Sequence, residues 1–272
     1  MTSLQQFDRP VVMIGCGNMA GSMLSRWLEC GLRVEQVTVV DPGRTDAPGN
    51  AVLLSQLPEH LPDNAIVLLG IKPQGLAGLA STLSPLLKQG MTVISMLAGV
   101  TVDNLQAALG EAAAVVRIMP NTPVALGKGV CALYAGPSAS IDQRELATDL
   151  LTPLGVVEWL EQEDQFNLVT ALTGCGPAFL FRFTDALARA ACELGMDDAQ
   201  ALRFSVALVE GAAALAAGAK EDPASLADRV ASKGGMTREG LDVLDKDDRL
   251  VRLMTETLRA ARDRGEALNK LS

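Results

Sequence analysis

The chain has 272 residues, of which 49% are hydrophobic and 20% charged. That mixture fills a folded core and excludes a disordered, fibrous or low-complexity protein. The net charge is −9 and no block of Lys or Arg occurs, which argues against nucleic acid as a partner.

The predicted elements begin with an apolar run over 10–15, Pro-Val-Val-Met-Ile-Gly. Such a run suits a central parallel strand covered on both faces. The turn Gly15-Cys16-Gly17-Asn18-Met19-Ala20 follows at once. Met23, Leu24, Trp27 and Leu28 then share one stripe of a helix over 19–30, with Gly31 as its stop. A second strand over 37–40 ends at Asp41. Strand, glycine turn, helix, strand and acid in this order predict a dinucleotide site. Gly15 permits the tight turn, and Gly17 lets the backbone approach a pyrophosphate. The helix start at 18–20 offers unpaired N–H groups to phosphates. Ala20 takes the third glycine position, and Asp41 lies 21 residues beyond it, where a carboxylate accepts from ribose hydroxyls. Asp41 would repel a 2′-phosphate and favour NADH, whereas Arg44 could pair with that phosphate, so the coenzyme stays open between NADH and NADPH.

Two Pro and two Gly within 42–50 make a crossover helix improbable there. Further strands are expected over 66–71, 93–96 and 115–119, with a helix over 102–109 and a mixed stretch over 74–87. A strand pair over 130–134 and 156–160 brackets a helix near 141–151. The recurrence of strand, loop and helix predicts an α/β fold with an N-terminal Rossmann-like doubly wound sheet over 1–163.

From 164 to 272 the pattern turns helical. Pro177 fits the first turn of a helix ending near Leu194 and Gly195. The stretch 199–219 carries only two charges, Arg203 and Glu210. A helix apolar nearly all round is a buried one, and a domain this small cannot bury it alone. An all-helical dimerisation domain over 164–272 is therefore expected. The last helix, over 247–267, shows Leu250, Met254 and Leu258 on one stripe. Glycine-rich breaks at 173–177 and 232–237 each place N–H donors at a helix start, with Thr237 a candidate N-cap.

The longest uncharged run, 165–181, is too short and too broken to span a bilayer, so no membrane role is expected. No signal-peptide core occurs in 1–10. The five Cys, at 16, 30, 131, 175 and 192, include no C-x-x-C pair. They read as buried thiols of a reducing cytoplasm, with no metal site. The only His, His60, sits in a polar stretch and reads as a loop residue, which leaves no second His for a His-based metal cluster.

Five motifs occur in order: Gly-Cys-Gly-Asn-Met-Ala (15–20), Ile-Lys-Pro-Gln (71–74), Arg-Ile-Met-Pro-Asn-Thr-Pro (117–123), Thr-Gly-Cys-Gly-Pro-Ala-Phe (173–179) and Ser-Lys-Gly-Gly-Met-Thr (232–237). Together, over about residues 10–265, the chain resembles the pyrroline-5-carboxylate reductase family. The resemblance implies hydride transfer from NADPH or NADH to the cyclic imine of 1-pyrroline-5-carboxylate, giving L-proline. It implies an intertwined homodimer, in this family often assembled further into a decamer of five dimers. By position, Ile14, Gly15, Cys16, Gly17, Asn18, Met19 and Ala20 would hold the pyrophosphate. Ile71, Lys72 and Pro73, with Met96, Leu97 and Ala98, would line the ribose and nicotinamide. Ser232, Gly234, Gly235, Met236 and Thr237 would receive the substrate, with Thr237 near the ring nitrogen. Lys233, Met236 and Cys175 depart from the residues usual in that family, and Met236 could narrow the pocket. Other readings are a related imine or β-hydroxy-acid oxidoreductase, needing a helix lysine such as Lys220 or Lys233, and a non-catalytic dinucleotide sensor.

Overall fold

The computed structural model describes residues 3–269. The chain divides into two compact units, one of residues 1–174 with 261–272 and one of residues 175–260.

The first unit is an eight-stranded sheet in the order β3-β2-β1-β4-β5-β6-β7-β8. Its strands and helices are β1 (Val11–Ile14), α1 (Asn18–Glu29), β2 (Val37–Val40), β3 (Val52–Leu54), β4 (Ile66–Leu69), α2 (Leu76–Leu83), β5 (Thr92–Ser95), α3 (Val102–Leu109), β6 (Ala114–Met119), β7 (Gly129–Ala135), α4 (Ile141–Leu151) and β8 (Gly155–Trp159). Strands β1 to β6 run parallel, β7 is antiparallel to β6, and β8 is parallel to β7. The period of two along β1 decides which face each side chain joins. Val11 and Met13 enter a core with Met23, Leu24 and Trp27 of α1 and with Leu150 and Leu151 of α4. Val12 and Ile14 enter a second core with Ala80 and Leu83 of α2 and with Leu105 and Leu109 of α3. All four residues of β1, β4 and β5 are buried, which is why β1 and β4 read as unbroken apolar runs; β5 buries Thr92 and Ser95 at its ends.

Helix starts follow local chemistry. Thr101 accepts the Asn104 N–H ahead of α3, and Ser140 and Gln143 form a reciprocal capping box on α4. As expected, no α-helix joins β2 to β3; a short 3-10 turn at Pro48–Asn50 does. Strand β3 itself is an addition to the expected set, three residues at the sheet edge. The pair 130–134 and 156–160 does form, and it extends the main sheet through β6.

Next come α5 (Phe166–Val169), α6 (Gly176–Glu193), α7 (Asp198–Gly218), α8 (Pro223–Arg229), α9 (Met236–Asp245) and α10 (Arg249–Asn269). The division between units differs from an expected boundary at 163/164. Phe166 is fully buried under Arg117 of β6, and the Asn121 side-chain amide donates to the Thr173 carbonyl at 2.9 Å. These contacts tie 164–174 to the first unit. In the second unit α6 packs on α7. Only Ala201 and Ser205 of α7 are buried, while Leu202, Phe204, Val206, Leu208 and Leu215 are exposed.

Candidate active site

The glycine turn joins the end of β1 to α1. Gly15 has φ +85°, and a Cβ there would lie 2.8 Å from the Gly70 carbonyl at the end of β4. The tight turn and the close crossing of two backbones both require glycine at 15. A Cβ on Gly17 would meet nothing within 4 Å, so this glycine borders open space. Gly17 caps α1 without any side-chain hydrogen bond, leaving first-turn N–H groups of α1 for a ligand.

A cleft of about 1010 Å³ opens at the carboxyl ends of the strands, lined by Ile14, Gly15, Gly17, Asp41, Ile71 and Lys72, among others. It lies where the strand order reverses between β1 and β4, the place where open α/β sheets bind ligands. Lys72 is exposed and is in no ion pair among the described residues. Pro73 begins a 3-10 turn leading into α2. Met96, Leu97 and Ala98 follow β5 on the same edge, and the Met96 Cε lies 3.3 Å from where a Gly70 Cβ would stand. Leu97 is buried, so its side chain belongs to the core beneath the edge.

Asp41 does more than face the cleft. Its Oδ2 accepts the Cys16 N–H at 2.8 Å, and its Oδ1 accepts the Gly43 N–H at 2.9 Å. Arg44 folds back, donating from Nη1 to the Cys16 carbonyl at 2.9 Å and from Nε to the Asp46 carbonyl at 2.8 Å. Burial pushes the Cys16 thiol up, Arg44 opposes the shift, and Asp41 and Asp46 add to it. Cys30 and Cys131 are also buried, and burial holds the Cys131 thiol up at about 12. Cys175 and Cys192 are half-buried, not fully buried as expected. His60 is an exposed loop residue.

The two glycine breaks differ. Residues Thr170–Gly174 form a π-turn running into α6, with Cys175 in helical conformation. The break at 173–177 is therefore a widened helical turn leading into α6. The break at 232–237 is a true start: α9 begins at Met236 behind Gly235, whose cap has no side-chain hydrogen bond. Thr237 is the second residue of α9 and not its N-cap. Ser232, Gly234 and Thr237 are exposed, Gly235 is partly covered, and Met236 is 95% exposed. This loop belongs to the second unit, whereas the cleft residues belong to the first. Lys220 and Lys233 are exposed, and both lie outside helices, which removes the helix lysine that β-hydroxy-acid chemistry would use.

Sequence reasoning missed Gly70, whose only signal was a glycine closing an apolar run. It also missed the buried Arg117. Its Nη1 donates to Glu163 Oε1 at 2.9 Å, and the same oxygen accepts the Val102 N–H at 2.9 Å.

Comparison with known proteins agrees with this layout. Residues 10–99 match the family described as NADP oxidoreductase coenzyme F420-dependent. Residues 163–268 match the pyrroline-5-carboxylate reductase dimerisation family. A pyrroline-5-carboxylate reductase of Pseudomonas aeruginosa is 34% identical, over 95% of this chain and 96% of its own. A solved pyrroline-5-carboxylate reductase from Coxiella burnetii superposes with a TM-score of 0.86 at 30% identity, covering 96% of this chain and 98% of that one. The Plasmodium falciparum pyrroline carboxylate reductase, solved with NADP bound, shares the fold, with a TM-score of 0.81 at 19% identity over 96% of this chain and 98% of that one. With similarity running the length of both chains, and both halves matched in order, this chain belongs to the pyrroline-5-carboxylate reductase family.

Proposed function

We propose that this chain reduces 1-pyrroline-5-carboxylate to L-proline with NADH or NADPH, the last step of proline synthesis. The observation that carries this reading is a nucleotide-sized cleft built on the Gly15–Gly17 turn in a chain of that family. The cleft suits a dinucleotide: Gly17 leaves room for the pyrophosphate, and α1 presents its uncapped first turn. Ile14, Gly15, Cys16, Gly17, Asn18, Met19 and Ala20 would hold the pyrophosphate, with Asp41 on the adenosine ribose. Ile71, Lys72, Pro73, Met96, Leu97 and Ala98 would border the other ribose and the nicotinamide.

When bound, the dinucleotide supplies a hydride for the imine carbon. The N–H groups of Gly234, Met236 and Thr237 would receive the substrate carboxylate, favoured by the positive end of α9; the expected Gly235 N–H is instead held by the Ser232 carbonyl at 2.9 Å, so Gly235 serves the turn. The Thr237 hydroxyl would hydrogen-bond the ring nitrogen and fix the face of the ring. A protonated cyclic imine that accepts a hydride becomes a neutral amine. Its nitrogen already carries the proton, so no side chain has to donate one. Holding two reactants in line can supply about 7–11 kcal/mol of the barrier. We propose 1–163 as the dinucleotide domain and 164–272 as the helical domain, a division that follows the family match beginning at 163 although 164–174 pack with the first unit. The chain would work in the cytoplasm as a homodimer, with a decamer of five dimers as its further assembly. Among the described residues α7 alone is long and apolar enough to cross a membrane by length and composition. Its Arg203 and Glu210, and the dimerisation family it belongs to, support cover by a second copy instead.

Absorbance at 340 nm with 1-pyrroline-5-carboxylate tests the reaction. Oxidation of NADH or NADPH is expected, and no oxidation of either, with nucleotide still bound, overturns the substrate assignment. Thr237→Val should lower kcat/KM by about 10- to 100-fold, the loss of one hydrogen bond to a charged group. Full activity with normal substrate binding would remove Thr237 from the mechanism.

A further inference from the structure

The loop after β2 grips the glycine turn through both backbone groups of one residue. The Cys16 N–H goes to Asp41 Oδ2 at 2.8 Å, and the Cys16 carbonyl accepts from Arg44 Nη1 at 2.9 Å. Each partner is itself pinned. Asp41 Oδ1 holds the Gly43 N–H at 2.9 Å. Arg44 Nε holds the Asp46 carbonyl at 2.8 Å, and its Nη2 lies 3.5 Å from Asp46 Oδ1.

These bonds separate two roles that the sequence left open. An arginine that recognises a 2′-phosphate must aim its guanidinium at the ligand. All three nitrogens of Arg44 are turned onto protein, and Arg44 is not among the residues lining the cleft. Asp41 does line it, next to Pro42, Gln56 and Leu57, and Lys72, after β4, is the one cation among the described residues that does so. Each Asp41 oxygen uses one lone pair on backbone and keeps another for a ribose hydroxyl. The same carboxylate, fixed by two N–H groups, cannot turn away from a phosphate placed at that hydroxyl.

We propose that Asp41 selects NADH over NADPH in this chain, and that Arg44 is a positioning residue that holds Cys16 instead of binding the 2′-phosphate. The proposal rests on the dinucleotide reading of the cleft. The description of the matched family names NADP, whereas the selectivity argued here comes from this chain's own loop.

Fluorescence titration of the full-length protein with NADH and with NADPH, without substrate, tests it. The Kd for NADH should be at least tenfold the lower, about 1.4 kcal/mol. Asp41→Asn keeps an oxygen for the Cys16 N–H and removes the charge, so the ratio should fall below about threefold, mainly through tighter NADPH binding. Arg44→Ala should weaken both nucleotides by the same factor and leave the ratio unchanged. Equal or tighter NADPH binding by the unaltered chain overturns the proposal, as does an Arg44→Ala loss confined to NADPH. Binding of neither nucleotide overturns the dinucleotide reading itself and the selectivity with it.

Discussion

Arg117 is 3% exposed at the side chain, and among the described residues its charge is answered by Glu163 alone. Its guanidinium stacks 4.3 Å above the Phe166 ring, and its buried Nε has no partner among the described residues. One oxygen of Glu163 serves both Arg117 and the backbone at the start of α3, so a single carboxylate joins β6, α3 and the segment ahead of α5. Removing one member of a buried ion pair leaves the other charged and dehydrated, which costs more than the pair is worth. Glu163→Ala should destabilise the protein by about 3 kcal/mol, read as a lower urea midpoint with unchanged slope. Glu163→Gln keeps an acceptor for both donors and should cost less. Equal losses from both variants would mean that the charge carries the whole effect and the hydrogen bonds add nothing beyond it.

At the scale of elements, the two glycines of the turn have separable duties. Gly15 needs its positive φ and its clearance from Gly70, whereas Gly17 has an ordinary φ and open space around it. Gly15→Ala should therefore cost about 2 kcal/mol or more in stability. Gly17→Ala should fold with an unchanged Tm and bind nucleotide at least tenfold more weakly, because its methyl stands where the pyrophosphate approaches. Calorimetry and nucleotide titration of the two variants check both halves, and a Gly17→Ala protein that binds normally would refute the phosphate role. Strands β1 and β4 were legible because burial on both faces demands unbroken apolar runs, and β2 because three of its four residues are valines. Helices α3 and α4 were legible at both ends, with Thr101 and Ser140 as their caps. Strand β3 was not, because three residues are too few to show a period. The Asp41–Cys16–Arg44 contacts were hidden for another reason. The sequence carries each residue type, but which donor Arg44 spends on which acceptor depends on the path of the loop. The π-turn at 170–174 was hidden too, since Gly and Pro mark a break without saying whether the helical path stops or widens.

At the scale of the whole molecule, α6 and α7 set the assembly. Phe181 is 70% exposed and Leu208 60%, with Phe183, Leu202, Phe204, Val206 and Leu215 alongside as exposed large apolar residues. Large apolar side chains exposed together on two packed helices mark an interaction surface. At roughly 25 cal/mol per Å², covering these side chains favours association. The dimerisation family matched by 163–268 supports a second copy of the chain as the cover. Light scattering after size exclusion should therefore find no monomer at micromolar concentration. Leu208→Glu places a charge in the middle of the apolar face of α7, where a dimer would have to bury it unpaired, at a cost of several kcal/mol. That variant should run as monomer or aggregate. Its first unit owes its two cores to the sheet and its flanking helices, so nucleotide binding should survive in whatever monomer remains. A stable, fully soluble monomer of the unaltered chain would overturn the dimer. A Leu208→Glu dimer as tight as the unaltered one would move the interface away from this face of α7.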